Sequence, residues 1–357
     1  MWEESCTVYS VSTSVDVATE VTMLGIVRAA RGWTQKDLES ATSIPQAVLS
    51  KAETGLIRLD DDRIASLARV LDVPPGLLRL PQPKGEPVHV FHRKRSALPV
   101  SKVNQLRAMI ELGHLQSSAI LGNEGRRSLV THKPLPDDGF ETPQERAQEL
   151  RQVIGLPSGP VEDMVSVLED AGVVVVRRNL GSNLIDALIS WPEGRTPLVL
   201  FGDHTPGDRL RFTLAHELGH AVMHKLPSDR QEAEADQFAS EFLMPAADIR
   251  HDLDNVSLAR LADLKLKWRV SMAALLRRAH DLGTISDFRY KQVNIELSTA
   301  GYRKQEPVSF AQETPRAVAG AISARVASGE SIESIASQAL MTPEELHHVY
   351  LGDADVH

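Results

Sequence analysis

The stretch "RFTLAHELGHAVMH" at residues 211–224 places two histidines four positions apart, with a glutamate directly after the first. On a helix, residues one turn apart share a face, so His216 and His220 can each aim an imidazole nitrogen at one divalent ion about 2.0–2.1 Å away. Glu217 then lies beside the ion rather than on it. A carboxylate so placed can take a proton from water attacking a carbonyl and pass it to a leaving amine, while the metal polarises the carbonyl. The chemistry indicated is zinc-dependent hydrolysis of a peptide bond.

A catalytic zinc needs a third protein ligand and one open position. The metzincin pattern does not supply it, because its glycine and third histidine would fall at Met223 and Leu226. His224 stands two turns, about 12 Å along the axis, from His216, and is expected to hydrogen-bond in support of the site rather than to bind the ion. The next segment, "RQEAEADQFASEFLMP", offers a better candidate. At 100° per residue, Ala235, Ala239, Phe242 and Leu243 form one apolar stripe, with Glu232 and Asp236 on the same side and Glu234 and Glu241 on the other. A buried carboxylate requires a partner. Zinc satisfies Glu232, and Asp236 is positioned to accept a hydrogen bond from the free nitrogen of a ligating histidine. This E-x-x-x-D after H-E-x-x-H resembles the gluzincin arrangement.

The whole stretch from "RLRFTLAHELGHAVMH" through "EAEADQFASEFLMP" closely resembles the ImmA/IrrE family of metallopeptidases over about a hundred residues. The resemblance implies a cytoplasmic zinc peptidase that cleaves a particular regulatory protein, often a repressor, and so induces a stress or mobile-element response. It implies metal binding by His216, His220 and Glu232, and a general base/acid role for Glu217. The oxyanion-stabilising group stays open between Arg209, Arg211, His204, His251 and the metal alone.

The elements that must position these residues read as an α+β pattern. "VVVVRR", "DALISW" and "TPLVLF" have strand character, and "SKVNQLRAMIELGHLQSSAIL", "TPQERAQELRQVIGL" and "PVEDMVSVLEDAG" have helical spacing. The histidine helix, whose Leu214, Ala215, Leu218, Ala221 and Val222 form a buried stripe, is entered from the strand "TPLVLF". That strand could align an extended substrate by edge pairing, but an ordinary sheet strand is the simpler account. The expected fold class is mainly α with a small α+β zincin-like metallopeptidase domain, an N-terminal five-helix helix-turn-helix bundle and a helical C-terminal extension.

In the N-terminal region, "RAARGWTQKDLESATSIPQAVLSKAETG" has short apolar-periodic helices punctuated by Gly32 and Gly55, with Thr34 placed to cap the second. Through Gln35, Leu38, Leu49, Ser50, Glu53 and Gly55 it resembles the Xre/Cro-repressor family. The resemblance implies a recognition helix beginning near Pro45 that presents Gln46, Ala47, Ser50 and Lys51 to the major groove. The charge there is balanced and the whole chain carries a net charge of -9, so DNA contact must come from a local surface.

"PQPKGEPVHVFHRKRSALPV" reads as a domain boundary, with a solvated basic cluster at His92, Arg93, Lys94 and Arg95. After the peptidase, "VSLARLADLKLKWRVSMAALLRRAHDLGTISDFRY" reads as a helical cap on the cleft rather than a second helix-turn-helix. The expected division is 1–19 a disordered leader, 20–80 the helix-turn-helix domain and 81–145 a linker and helical connector. It continues with 146–250 the peptidase domain, 251–305 the helical extension and 306–357 a small helical segment.

With 357 residues, 42% of them hydrophobic, the chain can bury a core in two or three domains. Cys6 is the only cysteine, which excludes a disulfide framework and a cysteine zinc site and points to a reducing, cytoplasmic setting. No run has the length of a membrane span. The expected function is a DNA-binding regulator fused to a zinc (Zn2+) endopeptidase. Its expected partners are DNA and a protein substrate, a repressor or a toxin from a neighbouring gene, with no membrane, and a homodimer is compatible with the helical tail. The alternatives are a non-proteolytic metal- or ligand-sensing regulator and an antitoxin-like protein. The carboxylate of Glu217 favours the peptidase, because a pure zinc sensor needs the ligands but not that group.

Overall fold

The computed structural model describes residues 21–352 except 84–89, 92–97, 123–127, 131–134, 136–140, 184, 192–194 and 225–228. The leader and the basic cluster at 92–95 lie outside the described residues. The chain divides into two compact units, Met1–Lys84 and Gly85–His357.

The first unit holds α1 (Leu24–Ala30), α2 (Gln35–Thr42), α3 (Gln46–Glu53), α4 (Asp61–Leu71) and α5 (Pro75–Arg79). Thr34 caps α2 as expected, in a reciprocal capping box with Asp37. Ser43 takes the left-handed conformation (φ 58°) that turns the chain sharply into α3. Val27, Leu38, Leu49, Leu67 and Leu78 are fully buried between the five helices. Arg28 on α1 donates to both carboxylate oxygens of Glu53 on α3, and Gln35 donates to the same carboxylate. That network ties the first, second and third helices together.

In the second unit a four-stranded sheet has the order β1-β3-β4-β2, with β1 (Val90–Phe91), β2 (Val174–Arg177), β3 (Ala187–Ser190) and β4 (Leu198–Phe201). β2 runs parallel to β4, and β3 is antiparallel to both β1 and β4. Strands buried on both faces read as continuous apolar runs. Here the alternation sorts them: Val173, Val175, Ala187, Ile189, Val199 and Phe201 join the main core, while Leu198 and Leu200 pack on Gly113 of α6 (Val100–Leu121) on the opposite face. A Cβ on Gly113 would lie 2.8 Å from Leu198, so the glycine sets how closely α6 approaches the sheet. The segment expected to be a connector thus supplies a covering layer of the sheet. β4 lies inside the sheet between β3 and β2, so it is an ordinary inner strand and offers no free edge to a substrate.

The main core face is covered by α7 (Pro143–Val153), α8 (Met164–Asp170), α9 (Gly207–Met223) and α10 (Gln231–Leu243). After the short α11 (Ala246–Ile249) come α12 (Leu258–Trp268), α13 (Met272–Asp281) and α14 (Asp287–Thr299). Leu261, Leu264, Trp268, Leu275 and Val293 of these helices belong to the same core, so the extension is built into the unit rather than laid over it.

Residues 306–316 then cross the unit as a strap. Glu306 accepts from the buried Lys265 Nζ (2.5 Å), which also pairs with Asp208 of α9. Gln312 donates to the carbonyls of Gly202 and Thr205, and a Cβ on Gly207 would collide with the Ala311 carbonyl. Glu313 accepts from the backbone N–H groups of Met164 and Val165, two of the unpaired donors at the start of α8, and pairs with Arg211 of α9. In return Glu169 near the end of α8 accepts from Arg316 and Ala317 at the start of α15 (Ala317–Ala327). α15 leads to α16 (Ile332–Gln338) and α17 (Pro343–Leu346), and this tail packs on α6 and β2.

Candidate metal centre

α9 begins at Gly207 behind Pro206 and ends at Met223, with His224 as its C-cap in extended conformation. Burial is not confined to the expected stripe: His216, Glu217 and His220 are also buried. What covers the histidine side is α10. Its approach is set at Gly219, where a Cβ would lie 3.0 Å from the Phe238 ring, and by the buried small residues Ala235 and Ala239. The glycine inside H-E-x-x-H is thus the contact that lets α10 bring its carboxylates to the imidazoles.

His216 Nε2 and His220 Nε2 are 3.0 Å apart. Glu232 places Oε2 3.6 Å from the first and Oε1 3.4 Å from the second. The edge of a tetrahedron with bonds of about 2.0–2.1 Å is about 3.3–3.4 Å. Each imidazole nitrogen thus has a different oxygen of the Glu232 carboxylate near that edge length, the three groups are close enough to share one ion, and among the described residues they form the one such cluster. Glu232 and Asp236 are about half exposed, with side-chain exposures of 59% and 50%. The sequence reading placed them on a buried stripe. The structure instead puts them at the rim of the helix pair, because α10 becomes continuously buried only from Phe238.

Asp236 Oδ1 lies 2.8 Å from His216 Nδ1, the nitrogen left over when Nε2 faces the ion. Burial alone would lower the affinity of His216 for a proton, but the hydrogen bonds to Asp236 and Glu232 and the nearby Glu217 outweigh it and raise the pKa to about 9. His220 is pushed the other way, to about 3, first by burial and then by the charge that His216 and His224 would carry when protonated. Glu232 is held below the ordinary carboxyl range, chiefly by its hydrogen bond with His216.

His224 does not point at the donor triangle. Its Nδ1 lies 2.9 Å from His220 Nδ1 and its Nε2 lies 3.0 Å from Glu234 Oε2. Glu234 therefore faces the site's surroundings and not the far side, which corrects the helical-wheel expectation. A wheel refers directions to one axis, whereas the cap at His224 turns its ring off the α9 axis toward the first turn of α10. Glu241 does point away, into a buried pairing with Arg278.

Of the groups considered for an oxyanion, Arg211 is engaged by Glu313 and by the carbonyls of Val161 and Glu162. Arg209 pairs with Asp186, and His204 approaches the same carboxylate at 3.5 Å. His251 is exposed. A groove of about 820 Å³ adjoins Asp236, bordered by Phe212, Gln237, Arg277 and the loop carrying Arg303 and Lys304. The helical extension and the loop after it so form one wall beside the site.

In the first unit, Gln46, Ala47, Ser50 and Lys51 are all exposed on α3. Gln46 Nε2 donates to Gln35 Oε1 at 3.4 Å, which connects it to the Glu53 network behind the helix.

Comparison with known families agrees with both units. Residues 168–280 match the family model of the IrrE N-terminal-like domain, a peptidase family, and residues 24–78 match the helix-turn-helix family model. No curated protein matches the chain. The chain therefore joins an Xre-type helix-turn-helix domain to an ImmA/IrrE-type peptidase domain. No helix among the described residues is long and apolar enough to cross a membrane.

Proposed function

We propose that this chain is a cytoplasmic DNA-binding regulator whose second unit is a zinc-dependent endopeptidase acting on one specific regulatory protein, a repressor being the class that fits best. The observation that carries the reading is the cluster of His216, His220 and Glu232, close enough to share one ion, with Glu217 on the same helix as the two histidines. Zinc bound there supplies a Lewis acid for the scissile carbonyl. His216 and His220 hold it from one helix and Glu232 from the next, while Asp236 keeps the proton of His216 on Nδ1. Glu217 is the general base that takes the proton of the attacking water and then delivers it to the leaving amine. α3 enters the major groove, where Gln46, Ala47, Ser50 and Lys51 meet base edges and backbone.

The test is incubation of the purified chain with repressors encoded near its gene, with and without chelator, alongside Glu217→Gln and metal analysis. One equivalent of zinc, a discrete cleavage product, and loss of that product on chelation and in Glu217→Gln with zinc retained are expected. Regulation in cells that is unchanged by Glu217→Gln would transfer the function to metal sensing or to antitoxin-like binding.

A further inference from the structure

We infer that Glu234, acting through His224, is a positioning residue that fixes the tautomer of the zinc ligand His220; the inference rests on the metallopeptidase reading of the site. A neutral imidazole carries one N–H, and a ring that gives its Nε2 lone pair to an ion must hold that proton on Nδ1. For His216 the Nδ1 proton goes straight to Asp236. For His220 it meets another histidine: His224 Nδ1, at 2.9 Å, has to act as the acceptor. That assigns the single proton of His224 to Nε2, which lies 3.0 Å from Glu234 Oε2.

A carboxylate accepts hydrogen bonds and donates none. Glu234 therefore sets the direction of the whole chain, from His220 Nδ1–H to His224 Nδ1 and from His224 Nε2–H to Glu234. Both ligand imidazoles end on a carboxylate of α10, one directly and one through a second ring. His224 is buried and Glu234 is 21% exposed at its side chain, so water competes little for the inner hydrogen bond. The placement follows from the C-cap: at φ -114° and ψ 124°, His224 leaves the helix and lies beside His220, with ring centroids 5.0 Å apart.

The relay makes an asymmetric prediction that a mere tie between α9 and α10 does not. Glu234→Ala and His224→Ala should each weaken zinc binding 10- to 100-fold, the range for loss of groups that orient a metal ligand. His224→Asn should retain affinity to within about threefold, since its Oδ1 stands where Nδ1 stood and accepts from His220 without help. In that background Glu234→Ala should have no further effect. Zinc affinity is read by competition with a fluorescent chelator, with circular dichroism as the check on folding. Ring 15N shifts of selectively labelled, metal-free wild-type protein supply a measurement that needs no variant: the proton is expected on His220 Nδ1 and His224 Nε2.

Zinc affinity within twofold of wild type in folded Glu234→Ala, equal losses in His224→Asn and His224→Ala, or a proton on His224 Nδ1 would each overturn the relay. Failure of the wild-type protein itself to bind zinc would instead overturn the peptidase reading beneath it.

Discussion

Replacing Glu313 by alanine removes one carboxylate that serves two elements at once. It pairs with Arg211, whose side chain is 3% exposed, and caps the backbone N–H groups of Met164 and Val165 at the start of α8. Burial pushes the Glu313 carboxyl up despite Arg211, and burial pushes the Arg211 guanidinium down despite Glu313. The pair is thus costly to desolvate, and deleting one partner is worse than deleting both. Breaking a buried pair from one side costs about 3–5 kcal/mol. At about 2–4 °C per kcal/mol for a domain of roughly this size, Glu313→Ala should lower the melting temperature by about 6–20 °C. Arg211→Met restores apolar balance, so the double variant should melt above Glu313→Ala alone, with a coupling of about 1–3 kcal/mol in the cycle. Calorimetry on the four proteins decides it. A melting temperature within 2 °C of wild type for Glu313→Ala, or strictly additive effects, would refute the view that the strap is a structural member of the second unit.

Gly219→Val places two methyl groups against the Phe238 ring and should cost about 1–3 kcal/mol, while zinc affinity falls because Glu232 and Asp236 move off with α10; unchanged zinc binding would show that the helices are not held by this contact. The metal-free protein should be most stable near pH 6.5. His220 is held at about 3 in the folded chain against 6.5 for a free ring, so the unfolded chain binds more protons between these values and stability rises with pH across that window. His216 is raised to about 9, so the folded chain keeps its proton from 6.5 to 9 and stability falls as pH climbs through that range. Thermal melts in chelator should show this maximum, and zinc should remove the alkaline decline by replacing the proton; a metal-free melting temperature that rises steadily to pH 9 would contradict it. In the first unit, Gln46→Ala with Lys51→Ala should weaken operator binding in a gel shift, by about 1–3 kcal/mol for the base contact of Gln46 and more at low salt for Lys51.

The sequence by itself determined what is local. His216, Glu217 and His220 are legible because three residues on one helix have a fixed relation to each other whatever surrounds them. Thr34 as the cap of α2 is legible for the same reason, and so is the E-x-x-x-D pair that sends Glu232 and Asp236 to one side. Only the tertiary structure decided which helix ends meet. That Glu234 reaches His224, that Glu313 caps a helix 149 positions earlier in the chain, and that α6 covers the far face of the sheet all depend on contacts between distant segments. Their sequence separation leaves no periodic trace, and each is set by close approaches at Gly113, Gly207 and Gly219 whose geometry exists only once the chain is packed.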